Sequence, residues 1–145
     1  MVGLDRFIKA QEQDYFGALQ EVKKGRKLTH WMWYIFPQLK GLGYSAMAEF
    51  YGIEGIEEAK EYIEHEVLGK RLIEISDELL KLNTNNSIEV FGEIDSLKLK
   101  SCMTLFDYVS ENDVFDKVLQ KFYNGEKDLK TIGICNKKNN KNYTK

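Results

Sequence analysis

The stretch His30-Trp31-Met32-Trp33-Tyr34-Ile35-Phe36-Pro37-Gln38 contains both tryptophans of the chain and one of its two histidines. A helix over these residues would be apolar on nearly every side, which is typical of a helix inside a core. Thr29 can cap the start of this helix, and Pro37 ends it. We therefore expect the central core helix here, with the indole N–H groups bonded to backbone carbonyls.

The same aromatic density also has a functional interpretation. Trp31, Trp33 and Tyr34 can form one wall of a pocket on which a planar ring stacks. His30 and Gln38 then supply polar groups at the two ends of the helix, and His30 can act as donor, acceptor or acid/base group. The two interpretations are compatible, because different faces of one helix can serve them.

A glycine turn follows directly, and Ser45 can cap a further helix that reaches about Tyr51. Glycines before a helix N-terminus allow backbone amides to approach an anion, which the helix dipole also favours. The spacing matches neither the dinucleotide fingerprint nor the P-loop. Gly41, Gly43 and Ser45 therefore form either a phosphate-binding turn or an ordinary glycine turn with a serine cap.

Helical periodicity continues on both sides of this segment. A first helix runs from Leu4 to Val22, with Gly25 as its stop signal. Residues 88–91 are too short to classify, and no stretch alternates like a strand, so we predict an all-α, small multihelical domain of about six to seven helices without a coiled coil. The remaining helical patterns cover residues 56–63, 68–82, 95–109, 112–122 and, more briefly, 128–134.

The length of 145 residues suits one domain with one core. We assign residues 1–135 to this domain. Residues 136–145 contain only Asn, Lys, Tyr and Thr, so they lack the apolar area that would offset the entropy of ordering them. We predict a disordered tail there.

Composition excludes several classes of function. The 21 basic and 23 acidic residues give a net charge of -2, which disfavours nucleic acid as a partner. The longest apolar run is far too short to span a membrane, so we expect a cytoplasmic protein. Cys102 and Cys135 have neither a disulfide pattern nor a metal-ligand spacing, and no metal site or cofactor motif is predicted.

Polar residues interrupt the apolar faces of three helices. Gln11 lies inside the stripe of the first helix, and Arg71 lies at the edge of another, where it can bind an anion or form an interhelical salt bridge. Asp95 and Lys98 are one turn apart, with Ser101 nearby. This pair is either an N-cap aspartate with a lysine that reaches solvent, or a partly buried ion pair lining a pocket.

Five motifs together resemble the family of domains of unknown function DUF1810, whose members are sometimes labelled calpastatin-like. The resemblance extends from about Leu4 to Thr131 and implies a small multihelical domain with no established activity. A more general likeness of layout is to NADAR-type domains, which process ADP-ribose and ribose-phosphate adducts. The motifs are Leu4-x-Arg6-Phe7-x-x-Ala10-Gln11, His30-Trp31-Met32-Trp33-x-Ile35-Phe36-Pro37-Gln38, Gly41-Leu42-Gly43-x-Ser45, His65-x-x-Leu68-Gly69-x-Arg71-Leu72 and Phe91-Gly92-x-x-Asp95-x-x-Lys98-x-x-Ser101-x-Met103-Thr104-Leu105-Phe106.

The functional hypothesis is a pocket for a small anionic ligand that is nucleotide-like or ADP-ribose-like, either as a binding site alone or as the site of an enzyme that acts on this ligand. His30, Asp95 and Lys98 would be the catalytic set. The alternative is a non-enzymatic module that docks a protein partner through exposed aromatics. The first hypothesis requires the polar residues to converge on residues 30–45, with the ligand bound by Gln11, Trp31, Trp33, Tyr34, Gln38, Gly41, Gly43, Ser45, Arg71 and Ser101.

Overall fold

In the computed structural model, which describes the backbone of residues 3–143 and the side chains of residues 3–137, the chain forms nine helices and no strand. This confirms the all-α class, and the predicted count matches only the six helices of seven residues or more. The helices are α1 (Asp5–Lys23), α2 (Met32–Ile35), α3 (Ala46–Tyr51), α4 (Ile56–Glu64), α5 (Leu68–Leu80), α6 (Ser87–Phe91), α7 (Glu93–Val109), α8 (Val114–Tyr123) and α9 (Leu129–Tyr143).

The count differs in part because the short helix α6 forms where a local side chain caps its start. The side chain of Asn86 accepts the backbone N–H of Ile88 at 3.0 Å and caps α6 over the stretch that periodicity left unclassified. Two other helices begin at different residues than expected. Helix α2 starts after Trp31 instead of Thr29, and α7 starts after Gly92, two residues before Asp95.

Helix α7 lies at the centre of the molecule and packs against α4, α6, α8 and α9. Helix α5 packs against α1, α4 and α8, so the longer helices enclose one continuous core. The aromatic segment lies inside this core, as predicted, since Trp31, Met32, Ile35 and Phe36 are all buried. No helix in the described part of the chain is both long enough and apolar enough to cross a membrane.

A short backbone bridge closes the loop that carries α3. The N–H of Ile53 donates to the carbonyl of Gln38, and the N–H of Lys40 donates to the carbonyl of Ile53, both at 2.9 Å. Gly52 is required here, because a Cβ at this position would lie 2.6 Å from the Cα of Lys40. The bridge therefore holds the backbone of Gln38 in place beside α7.

The last helix, α9, extends to Tyr143, whereas the sequence pattern predicted an end near residue 134. Its start is close to the predicted one, and Asp128 caps it by accepting the backbone N–H of Thr131 at 3.0 Å. A disordered tail was predicted for residues 136–145, and most side chains of this range lie outside the described residues. That assignment and the domain limit at residue 135 remain predictions.

Candidate functional site

An open cleft of about 440 Å³ lies between the loop around Leu42, the outer face of α7 and the start of α9. Four residues predicted for the site line it: Gln38, Gly43, Lys98 and Ser101. We call this the Lys98 cleft. Its complete lining is Gln38, Leu42, Gly43, Ile94, Leu97, Lys98, Ser101, Asp128, Leu129 and Lys130.

Lys98 is held at the cleft by a carboxylate and an aromatic ring. Its Nζ lies 3.6 Å from Oδ1 of Asp95 and 5.2 Å from the ring centroid of Trp33. The other oxygen of Asp95 lies 2.9 Å from the Nζ of Lys27, which in turn lies 5.1 Å from the ring centroid of Trp31. Both carboxylate oxygens are thus engaged by ammonium groups, and the set of Lys27, Asp95 and Lys98 keeps one net positive charge.

This geometry favours the ion-pair interpretation of Asp95 over the N-cap interpretation. Helix α7 begins at Glu93, so Asp95 lies within the first turn and its side chain caps no helix. The side chains of Asp95 and Lys98 are 18% and 22% exposed, respectively. Helix α7 begins before Asp95 because Gly92, with a φ of +83°, allows the chain to turn directly from α6 into α7.

Gln38 and Lys98 also line a small chamber behind the cleft. The chamber has a volume of about 10 Å³, about the space for one water molecule. It lies beneath α3, against one side of Trp33. The complete lining is Met32, Trp33, Phe36, Gln38, Ala48, Tyr51, Gly52 and Lys98.

Three large apolar side chains stand exposed around the Lys98 cleft. Ile94, Leu97 and Leu129 are 73%, 67% and 82% exposed, respectively. Ser101, by contrast, is buried at the floor, where its hydroxyl donates to the carbonyl of Leu97 at 3.2 Å. The cleft therefore combines apolar walls with a few polar groups, which is the usual character of a small-molecule site.

Trp31 cannot act as the stacking surface that the sequence suggested. It is 1% exposed and packs against Phe36 and Phe91, with ring centroids 6.2 and 6.4 Å away. Its indole N–H donates to the carboxylate of Glu21 at 2.9 Å instead of to a backbone carbonyl. Burial of the whole ring in the core leaves no face for a ligand.

Glu21 organises the loop before the aromatic segment, and sequence reasoning missed it. Its carboxylate also accepts the backbone N–H groups of Leu28 and Thr29 and the hydroxyl of Thr29. Burial alone would raise the pKa of Glu21, but these hydrogen bonds outweigh it and hold the pKa at about 2. The available signal was a carboxylate in the last turn of α1, just before the stop at Gly25.

We expect Glu21→Gln to lower the free energy of unfolding by about 1–3 kcal/mol at neutral pH, because the amide accepts fewer and weaker hydrogen bonds. A lowered folded pKa contributes stability that is present above the ordinary value of 4.5 and is lost as the pH falls toward 2. The destabilisation should therefore shrink between pH 7 and pH 2.5 in denaturant titrations. Glu12→Gln, at an exposed position of the same helix, is the control; an equal loss at both pH values would contradict this role.

Gln11, Tyr34 and Arg71 form a separate group on the inner side of α1. The side-chain amide N–H of Gln11 donates to the carbonyl of Tyr34 at 2.7 Å and to the hydroxyl of Tyr62 at 2.9 Å. Arg71 donates to the side-chain oxygen of Gln11 at 3.4 Å and stacks on Tyr15. None of the three lines the Lys98 cleft. Gln11, Tyr34 and Arg71 therefore contact internal partners at a place apart from the Lys98 cleft.

Tyr34 is buried and its hydroxyl bonds to the carboxylate of Asp14. Burial and this bond raise the pKa of Tyr34 above its ordinary range. The ring contacts Tyr51 with a centroid distance of 5.0 Å. Tyr34 therefore offers no free face for stacking.

The remaining predicted site residues lie apart from Lys98. The His30 side chain is exposed and, in the described part of the chain, forms no hydrogen bond or ion pair with Asp95 or Lys98. Ser45 caps α3 by accepting the backbone N–H of Ala48 at 3.1 Å, which supports the ordinary-turn interpretation. Gly41 has a φ of +99° and lines a neighbouring cleft.

The structure thus divides the predicted residues instead of bringing all of them together. Trp33, Gln38, Gly43, Lys98 and Ser101 lie at the Lys98 cleft or its inner chamber. Asp95 joins them through its ion pair with Lys98. Sequence reasoning missed the cleft residues at the start of α9, because the local pattern predicts the helix but not the position at which it packs. No group of three or more potential metal ligands occurs in the described part of the chain.

Fold and site together define a small, all-helical domain that carries an open surface cleft with apolar walls and lysines. The chain belongs to the family of proteins of unknown function DUF1810, whose model matches residues 1–135. It is similar to the conserved hypothetical protein Rv1873 from Mycobacterium tuberculosis, a crystal structure, with 42% sequence identity and a TM-score of 0.90. That match covers 92% of this chain and 96% of the other. No curated protein matches the chain.

Proposed function

We propose that the Lys98 cleft binds a small organic anion of the nucleotide or ADP-ribose type. The observation that carries this proposal is the combination, in one cleft of about 440 Å³, of apolar walls with Lys98, Lys130, Gln38 and Ser101. The volume lies within the range of roughly 300–1,000 Å³ that is usual for small-molecule sites.

The charges in the cleft favour an anion. The lining includes two lysines, Lys98 and Lys130, and one carboxylate, that of Asp128, while the Asp95 carboxylate beside Lys98 is shared with Lys27. Asp128 is already committed to Thr131, whose backbone N–H and hydroxyl it accepts at 3.0 and 2.6 Å. The ammonium groups can therefore pair with phosphate or carboxylate oxygens of a ligand.

Lys98 is well suited to meet such an anion. Asp95 and the ring of Trp33 restrict its side chain, so less conformational entropy is lost when a ligand binds. Asp95 acts in this proposal as a positioning residue, because its two oxygens already face Lys27 and Lys98. Of the three residues predicted as catalytic, Lys98 is the one that lines the cleft.

The apolar walls suit the less polar part of the ligand. Ile94, Leu97 and Leu129 present aliphatic surface to water in the free protein, and a sugar or base packed against them removes that surface from solvent. Gln38 can then donate to or accept from hydroxyl or ring nitrogen atoms, and the Ser101 oxygen, whose hydrogen is donated to Leu97, can accept from a ligand hydroxyl.

Thermal unfolding in the presence of ribose 5-phosphate, AMP and ADP-ribose tests the proposal. A ligand at about 100 times its Kd should raise the free energy of unfolding by about 2.7 kcal/mol. Lys98→Met should weaken binding about tenfold or more, because it removes a charge-assisted hydrogen bond worth about 1.5–3 kcal/mol. The matched control, Lys60→Met, changes an exposed lysine on α4 and should leave affinity unchanged.

A second candidate function is docking of a protein partner at the same place. The exposed side chains of Ile94, Leu97 and Leu129 favour it. The aromatic segment itself does not form the docking patch that the sequence suggested, since Trp31, Tyr34 and Phe36 are buried. If none of the three ligands shifts the unfolding temperature, the small-anion proposal is wrong and the docking of a protein partner is favoured.

A further inference from the structure

A second cleft, of about 410 Å³, adjoins the first along α9. The two clefts share the lining residues Leu42 and Lys130, so they lie side by side along α9, and we call the pair of clefts the groove. We call the second part the Tyr44 cleft. Its lining is Gly41, Leu42, Tyr44, Lys130, Gly133, Ile134 and Lys137.

One face of α9 forms the floor of the Tyr44 cleft. Lys130, Gly133, Ile134 and Lys137 follow the pattern i, i+3, i+4, i+7, which places them on one side of the helix. A Cβ at Gly133 would meet nothing within 4 Å. Glycine weakens a helix interior relative to alanine, and packing within the described residues gives no reason for it here. Its effect is to leave the floor of the cleft open.

Tyr44 provides the opposite wall. Its side chain is 90% exposed, the highest exposure among the large hydrophobic residues of the described chain. A tyrosine ring in water offers a flat apolar face that a heterocyclic base can cover by stacking. Lys130 and Lys137 lie on the same cleft, so phosphate groups next to such a base would meet positive charge.

We infer that the Tyr44 cleft is a second subsite for a planar ring, so that the complete ligand is an elongated anion. Its ring lies at Tyr44, its phosphates lie near Lys130, and a second polar group lies at Lys98. The chemical class is a nucleoside diphosphate that carries a further sugar or similar group. This inference rests on the proposed function of the Lys98 cleft and goes beyond it by defining the length and polarity of the ligand.

Calorimetric titration with a short and a long probe tests the inference. Ribose 5-phosphate offers only a sugar and one phosphate, for the Lys98 cleft, whereas ADP-ribose also carries an adenine ring that the Tyr44 cleft would bind. The wild-type protein should bind ADP-ribose at least tenfold more tightly than ribose 5-phosphate. Gly133→Leu fills the Tyr44 cleft and should remove most of this gain, while it changes the Kd of ribose 5-phosphate less than twofold.

Gly17→Leu is the matched control, because Gly17 is also an exposed helical glycine with nothing within 4 Å of its Cβ position. It should change neither Kd. Tyr44→Ala is a second variant, and it should fold like the wild type because the Tyr44 ring is exposed to solvent. Tyr44→Ala should raise the Kd of ADP-ribose at least fivefold and leave the Kd of ribose 5-phosphate unchanged.

The outcomes separate the two proposals. If ribose 5-phosphate and ADP-ribose bind equally well, or if Gly133→Leu and Tyr44→Ala leave the preference for ADP-ribose intact, the second subsite is refuted and the Lys98 cleft stands. If neither probe binds the wild-type protein, the proposed function fails and the second subsite fails with it.

Discussion

Gly69→Ala should lower the free energy of unfolding by about 3 kcal/mol or more, although it adds only one methyl group. Gly69 lies in the first turn of α5, where α4 crosses close by. A Cβ at this position would lie 2.0 Å from the carbonyl oxygen of Ile63 and 2.8 Å from its carbon. Both atoms belong to the backbone of α4, so relief requires the two helices to move apart.

The junction around Gly69 has little freedom to move. The Nδ1 atom of His65 accepts the backbone N–H groups of Val67 and Leu68 at 3.1 and 3.2 Å, and its carbonyl accepts the N–H of Gly69 at 2.9 Å. His65 thus satisfies the backbone at the start of α5. Separation of α4 from α5 would break these bonds.

Gly17→Ala is the control, and its expected effect has the opposite sign. Gly17 is exposed on α1, and its Cβ position is free of neighbours within 4 Å. Alanine should stabilise the protein here by about 0.5–1 kcal/mol, because glycine is unfavourable inside a helix. Urea unfolding followed by tryptophan fluorescence measures both variants. Equal effects at the two positions would contradict the steric argument.

Arg6→Met should lower the free energy of unfolding by about 3–5 kcal/mol, since it breaks a buried ion pair from one side. The Arg6 side chain is 2% exposed and lies 2.9 Å from the carboxylate of Glu58. It also donates to the carbonyls of Phe50 and Gly52 at 2.8 and 2.9 Å. Methionine would fill much of the volume but leave these acceptors and the carboxylate without their donor.

Acid should reduce this difference between wild type and variant. Burial raises the pKa of Glu58, but the hydrogen bonds from Arg6 and from the N–H of Glu54 outweigh burial and hold the pKa below its ordinary value. The pair therefore contributes stability that is complete above the ordinary pKa and is lost as the pH falls through the lowered one.

Denaturant titrations at pH 7 and under acid conditions measure this effect for wild type, Arg6→Met and the exposed control Arg26→Met. Arg26→Met should stay within about 0.5 kcal/mol of wild type. If Arg6→Met is too unstable to purify, Arg6→Lys keeps the charge and should show a smaller loss. A loss for Arg6→Met as small as that of Arg26→Met would refute the role of the buried pair.

These two sites differ in how visible they are in the sequence. Gly69 interrupts a strong helical pattern, and close packing could be predicted from it. Arg6 has no such signal, because its partners come from the end of α3 and from α4, more than 40 residues away. Helical periodicity shows which residues share one face of a helix, but it does not show which residue of another helix they contact.

The candidate site shows the same division. The sequence identified Lys98, Asp95, Gln38 and Ser101, because polar residues beside apolar faces need internal partners or a cavity. It placed Gln11 and Arg71 in the same group by the same rule, yet they pair with each other on the inner side of α1. Both arrangements satisfy the rule, so local pattern could not separate them.

The sequence by itself determined the helical class, the family, the burial of the aromatic segment and the approximate limits of most long helices. These properties depend on hydrogen bonds within four residues and on which face of a helix is apolar. The tertiary structure alone decided that Glu21 accepts the indole of Trp31, that Lys27 shares Asp95 with Lys98, and that α9 completes the groove. The reason is that each of these contacts depends on the packing of whole helices, which local periodicity does not specify.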